Sequence, residues 1–301
     1  MEMSIRFPNL DLVFDFVPRS FYILGTEFTI YGVLIAVGAL LGMGMALLEA
    51  RRNHEDTNRC LEMMIISMTA AIVGSRLFYV IFSWDLYSEN VSGIWNIRNG
   101  GYAFYGALLA GVLAAAVFCK VTKSPFWQMA DTVSVGLLLG QTVGRFGNFF
   151  NRESFGAYTD SLLAMQIPLT AVRSGEVSGA MRDNLLTIDG MAYIQVHPVF
   201  LYESLWCLAL LLMLLAIRRR KCFQGELFMR YLAGYGLGRF FFEWLRTDQL
   251  MIPGTQIGIS MLISAVLFGI FAPAIAIQTV LEKKRNRAKR KRREEDYLKE
   301  S

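Results

Sequence analysis

Apolar stretches recur along this chain too often, and run too long, for the core of one soluble domain. Seven of them, at about 29–49, 61–83, 102–119, 129–150, 199–217, 226–245 and 257–280, approach the roughly 20 residues a helix needs to cross a hydrocarbon layer about 30 Å thick. The pattern predicts an all-α polytopic membrane protein with about seven transmembrane helices. The connection 151–198 is too long for a simple turn and alternates weakly in "LTIDGMAYIQVHP", which predicts a small outward-facing cap with some extended structure. The chain then divides into an outer N-terminal segment (1–28), helices 1–4 (29–150), the cap (151–198), helices 5–7 (199–280) and a tail (281–301).

Lys and Arg placement orients these spans. Arg51, Arg52 and Arg59 follow the first, Lys120 and Lys123 the third, and Arg218, Arg219, Arg220 and Lys221 the fifth; nine of the eleven residues from Lys283 to Arg293 are basic. With seven crossings all of these share one side, so the N-terminus is expected outside and the C-terminus in the cytoplasm. The N-terminal stretch carries Asp15 and Arg19 inside its apolar part, which predicts no cleaved signal peptide. Hydrophobic residues make up 54% of the 301 residues, and the net charge of +5 owes much to the basic tail. That tail reads as a solvated anchor near anionic lipid and not as a nucleic-acid site, since no aromatic residues interleave its basic run at 283–293. No cysteine is placed to form an outside disulfide, and no Cys/His spacing suits a metal. No metal or soluble cofactor is implied.

Polar groups gather at one level. Arg145 lies roughly 24 Å up the fourth span from its inner end, and Arg239 roughly 20 Å up the sixth, with Glu243 and Arg246 one and two turns above it. Arg76 in "GSRLFYV" reaches a similar depth in the second span. Tyr31 opens the first span, Gly100, Gly101 and Tyr105 open the third, and His197, Tyr202 and Glu203 open the fifth. An arginine within a membrane costs about 3 kcal/mol on insertion scales, so such residues mark a functional path. Several at one depth require a counter-anion. Glu153, Glu203 and Glu243 supply part of it, and an arginine fork also matches the phosphate of a phospholipid.

Bland readings stand beside these. Arg76 and Arg246 taken singly are as well explained as snorkelling helix ends. The glycines of "GYGLGRF" suit close helix packing, and His197 suits a structural role at the cap. Gly100 and Gly101 suit a chain bend or a close approach of headgroup to backbone.

As a set, "YG" at 31–32, "GSRLFYV" at 74–80, "GG…YG" at 100–106, "GRFGNFFNRESFG" at 144–156, "HPVFLYE" at 197–203 and "GRFFFEWLR" at 238–246 resemble prolipoprotein diacylglyceryl transferases. The resemblance implies an enzyme of the bacterial cytoplasmic (inner) membrane. Its reaction moves the diacylglyceryl group of phosphatidylglycerol onto the lipobox cysteine thiol of a prolipoprotein signal peptide, forming a thioether and releasing glycerol phosphate. Phosphatidylglycerol, the prolipoprotein and membrane lipids are the implied partners, with no nucleic acid. Carried onto this chain, it places Arg145 and Arg239 at the lipid phosphate and adds Asn148, Asn151, Gly156 and Tyr31 to the site. Glu153, Glu203, Glu243 and Arg246 fall on motif positions without a separable role. One position departs: Tyr105 stands where many members carry a histidine, a candidate base for the thiol, and a phenol with a pKa near 10 is a poor base unless arginines lower it. A transporter would instead continue its polar residues to the inner half, and a lipid-binding scaffold would bind phosphatidylglycerol without forming product.

Overall fold

The computed structural model describes residues 4–88, 91–95, 100–252, 254–255 and 257–300; the first three residues of the N-terminal segment, parts of the 84–101 and 246–256 connections and the final residue of the tail lie outside the described residues. Among the described residues seven helices of 19 residues or more follow in order: α1 Ile30–Arg52, α2 Thr57–Phe82, α3 Phe104–Thr122, α4 Phe126–Asn151, then, after a short α5 Gly179–Asp183, α6 Val199–Ile217, α7 Glu226–Leu245 and α8 Ile259–Glu300. Five of them, α1, α2, α3, α6 and α8, are long and apolar enough to cross a membrane. α4 and α7 fall short of that criterion, and they carry the charges: Asp131 and Arg145 in one, Glu226, Arg230, Arg239 and Glu243 in the other. α8 does not stop near residue 280 but continues through the basic tail.

The all-α expectation needs correction, because the chain also builds two small sheets. Strands β1 Ile5–Phe7, β2 Leu12–Phe14, β5 Met165–Pro168, β6 Leu186–Ile188 and β7 Met191–Val196 form an antiparallel sheet in the order β2-β1-β5-β7-β6. β3 Ser20–Ile23 and β4 Thr26–Thr29 pair as a separate hairpin. The N-terminal segment therefore pairs with the 151–198 connection, through Arg6 opposite Gln166. Ile5, Phe7, Val17, Phe155, Met165, Ile167, Ile194 and Val196 share one buried cluster beneath the sheet. Its strands are three to six residues long; the weak alternation at 186–198 marks β6 and β7, while β1, β2 and β5 are too short to show, and their stability comes from that burial. A buried cross-strand pair, Gln166 Nε2 donating to Gln195 Oε1 at 2.9 Å, pins the β5–β7 register.

Residues 1–42 together with 134–301 form one compact unit and 43–133 a second, with the divisions inside α1 and α4. In the first unit, glycines bring backbones into contact. A Cβ on Gly38 would lie 2.8 Å from the carbonyl oxygen of Gly140, and one on Gly42 2.5 Å from that of Gly136, so α1 and α4 cross at a small-residue seam. A Cβ on Gly236 would meet the Ser264 carbonyl of α8 at 2.9 Å, while Trp206 of α6 lies over Gly238 and donates its indole N–H to Gly234 O at 2.9 Å. The glycines of "GYGLGRF" are packing glycines. In the second unit α2 and α3 meet the same way, with Gly74 against Gly106 and Ala110. Asp56 caps α2 by accepting from the Asn58 and Arg59 amides.

Candidate active site

Three helices of the first unit bring four charged side chains together. Arg145 of α4 stands 2.6 Å from Glu203 Oε2 of α6, and Arg239 of α7 stands 2.5 Å from Glu203 Oε1. One helical turn on, Glu243 Oε2 meets the other arm of Arg239 at 2.6 Å. The carboxylate side chains are 4% exposed and the arginines 17–18%. Glu203 Oε1 accepts an aligned hydrogen bond from Arg239, whereas Glu203 Oε2 and Glu243 Oε2 are held by charge contact with no N–H in line. Charges buried this far are tolerated only when paired, and removing one partner of such a pair typically costs about 3–5 kcal/mol. Tyr235, one turn before Arg239 on the same stripe, accepts from Arg145 Nη2 at 3.3 Å. A cavity of about 10 Å³, roughly one water, is lined by Arg145, Glu203, Trp206, Cys207, Tyr235, Arg239 and Phe242.

Above this quartet the signature at 144–156 turns back on itself. Gly147 lacks the side chain that would strike the Tyr31 ring, since a Cβ there would lie 2.6 Å from it; this seats Tyr31 of α1 on α4. Arg152 and Ser154 then take left-handed backbone conformations (φ 54° and 57°), sparsely populated for residues with a Cβ. The reversal points Glu153 back to the helix, where Asn148 and Asn151 donate to its Oε1 at 3.1 and 3.3 Å. Gly156 has no room for a side chain: a Cβ would lie 2.8 Å from that of His197 and 3.0 Å from the Leu245 carbonyl. Its amide donates to His197 O, and the His197 amide to Ala157 O, stitching the cap to the start of α6. The His197 ring lies 3.3 Å from the Tyr202 hydroxyl, and burial lowers its pKa, which favours the neutral ring at pH 7.

Arg246, just past α7, forks onto Asp248 at 2.8 and 2.6 Å and reaches Ser154 Oγ at 2.9 Å. Burial opposes ionisation of Asp248, but the hydrogen bonds and charge of Arg246 outweigh it and hold the carboxyl below its usual pKa. A depressed folded-state pKa contributes stability that is present above the unfolded value, about 3.9, and lost as pH falls through the folded one. Asp248→Asn is therefore expected to lower the thermal unfolding temperature in detergent at pH 7, with the gap to wild type closing on acidification. A gap that widened toward acid would overturn the assignment.

In the second unit Arg76 is tied to backbone: its guanidinium donates to the carbonyls of Gly93, Ile94, Gly100 and Gly101 at 2.7–3.0 Å. Gly100 and Gly101 both have positive φ, 76° and 82°, and a Cβ on Gly101 would lie 2.6 Å from Arg76. These three sequence-selected residues thus form one structural knot. Tyr105 occupies the first turn of α3 in the same unit, its ring edge-on to Phe104.

Sequence reasoning missed Tyr235, Ser154, Asp248 and Arg152. Tyr235 carried a usable signal, the four-residue spacing to Arg239 and Glu243. Arg152 is 4% exposed and donates to Val17 O and Phe150 O; burial, then the charge of Arg19, lower its pKa to about 10. It joins the end of α4 to the N-terminal segment, a contact no local pattern announces.

Five membrane-length apolar helices define a multi-pass membrane protein, and Arg145, Glu203, Arg239 and Glu243 form a buried ion-pair cluster within it. Comparison with known proteins makes this specific. The sequence model of the family described as prolipoprotein diacylglyceryl transferase matches residues 18–277. The phosphatidylglycerol–prolipoprotein diacylglyceryl transferase of Listeria welshimeri is 41% identical over 223 residues, covering 73% of this chain and 76% of that protein. The protein of the same name from Bacillus mycoides is 41% identical over 244 residues, covering 80% and 84%. The chain belongs to the prolipoprotein diacylglyceryl transferase family and is a transferase.

Proposed function

We propose that this protein transfers the diacylglyceryl group of phosphatidylglycerol to the lipobox cysteine of a prolipoprotein, at the outer half of the bacterial cytoplasmic membrane. The observation that carries this reading is the joining of Arg145 and Arg239, from two different helices, by the single carboxylate of Glu203. Two guanidiniums held that close suit a phosphodiester, and the names of the relatives supply the substrates.

In this reading all seven long helices cross the membrane, α4 and α7 included, because their charges face one another and not lipid. The basic loops and tail lie in the cytoplasm and the five-stranded sheet forms the outer cap. The substrate thiolate attacks the glycerol methylene carbon of the lipid; the carbon–oxygen bond to phosphate breaks, a thioether forms, and glycerol phosphate leaves with the new charge. Arg145 and Arg239 stabilise that growing charge. Tyr31, Asn148, Asn151, Glu153, Gly156, His197, Tyr202, Glu243 and Arg246 shape the seat around them, and Arg76, Gly100 and Gly101 shape the entrance to α3.

The thiol proton needs an acceptor, and Tyr105 is the candidate position. Tyr105→Phe removes only the hydroxyl; turnover is expected to fall, and an unchanged pH–rate profile would exclude this hydroxyl as base or proton carrier. The reading as a whole is tested with purified protein in detergent, phosphatidylglycerol and a lipobox peptide, following peptide mass and released glycerol phosphate. A gain of one diacylglyceryl mass is expected, and none on a Cys-to-Ser peptide. Lipid binding without mass gain would reduce the protein to a lipid-binding scaffold.

A further inference from the structure

A guanidinium carries five N–H donors and no acceptor, so two of them facing one another make a seat for an anion with two free oxygens. Here that seat is filled from within the chain. Glu203 gives one oxygen to each arginine, at 2.5 and 2.6 Å. A phosphodiester is also a monoanion with two unesterified oxygens and would make the same two contacts.

Charge and space point the same way. Arg145 and Arg239 are matched by Glu203 and Glu243, so the quartet is electrically neutral and has little net pull left for an incoming anion. The adjoining cavity, about 10 Å³, holds a water and not a phosphate group. A phosphate that engages both arginines from that side must take the place of the carboxylate.

Resting on the transfer reading above, we propose that Glu203 is a built-in competitor for the phosphate seat. Between turnovers it holds the two guanidiniums in register. It yields them to the phosphodiester, and on returning it displaces the glycerol phosphate product, whose added charge would otherwise keep it bound. Glu203 acts here as a positioning residue, through the arginines.

The test compares wild type, Glu203→Gln, Glu203→Asp and Glu243→Gln in detergent, measuring calorimetric affinity for glycerol phosphate and short-chain phosphatidylglycerol alongside turnover. Like charges forced together at a binding site repel strongly, so Glu203→Gln is expected to bind glycerol phosphate at least about tenfold more tightly. Its KM for the lipid and its kcat should both fall, with product release limiting. Glu243→Gln, which frees only Arg239, should tighten less. A merely structural spacer predicts the reverse, since loosened arginines bind anions worse. Unchanged or weaker affinity in a Gln variant that melts like wild type would overturn the proposal. Should the Gln variant not fold, Glu203→Asp decides: it keeps the charge but reaches one methylene less, so intermediate tightening is expected and wild-type affinity overturns the idea. Binding is read without turnover, so a wild type that binds lipid but forms no thioether would sink the transfer reading alone.

Discussion

Arg145→Ala is expected to reduce diacylglyceryl transfer by about 10²–10³-fold, the usual loss when one donor aimed at developing charge is removed. The deletion takes away the proposed phosphate donor and also one of the two cations on Glu203. Arg239 still holds that carboxylate, so the fold should survive with a lowered melting temperature. Activity must therefore be compared on protein shown to be folded. If the folded variant transferred at wild-type rate, Arg145 would have no part in the chemistry and the arginine pair would be an architectural feature only.

Arg239→Lys is also expected to lose activity, although it conserves charge. Arg239 uses separate nitrogens of one planar fork for Glu203 and Glu243. A single ammonium cannot hold Glu243 with one fixed nitrogen while presenting another to Glu203 or to the phosphate proposed to replace it. The loss should appear as a fall in kcat/KM of at least about tenfold, checked with the same peptide-mass assay. Full activity of the lysine variant would mean that charge alone matters and that fork geometry does not.

Much of this site was legible before any fold was known, and the reason lies in the cost of burying charge. Arg145, Arg239 and Glu243 stand out because they interrupt apolar runs, and a residue so expensive in that setting announces a partner or a ligand. The identity of the partner was not legible. Glu203 looked equivalent to Glu153 and Glu243, yet it alone touches both arginines, while Glu153 is held by two asparagines and Arg246 by Asp248. Arg76 looked like the others at its depth and proves to be bound up with backbone carbonyls. The cap hid its partner for a different reason: β1 pairs with β5 across most of the chain, and nothing in three residues of "IRF" names a mate.

Hydrophobic length and charge placement are local properties, additive along the chain, so the amino-acid sequence alone determined the long helices, which of them carry arginines and, through its motifs, the family. Pairing is not local. Which carboxylate bridges which arginines depends on how α4, α6 and α7 rotate and cross. Close approach at glycines, as at the α1–α4 seam where a Cβ on Gly42 would lie 2.5 Å from the Gly136 carbonyl oxygen, allows such crossings only when all the backbones are in place.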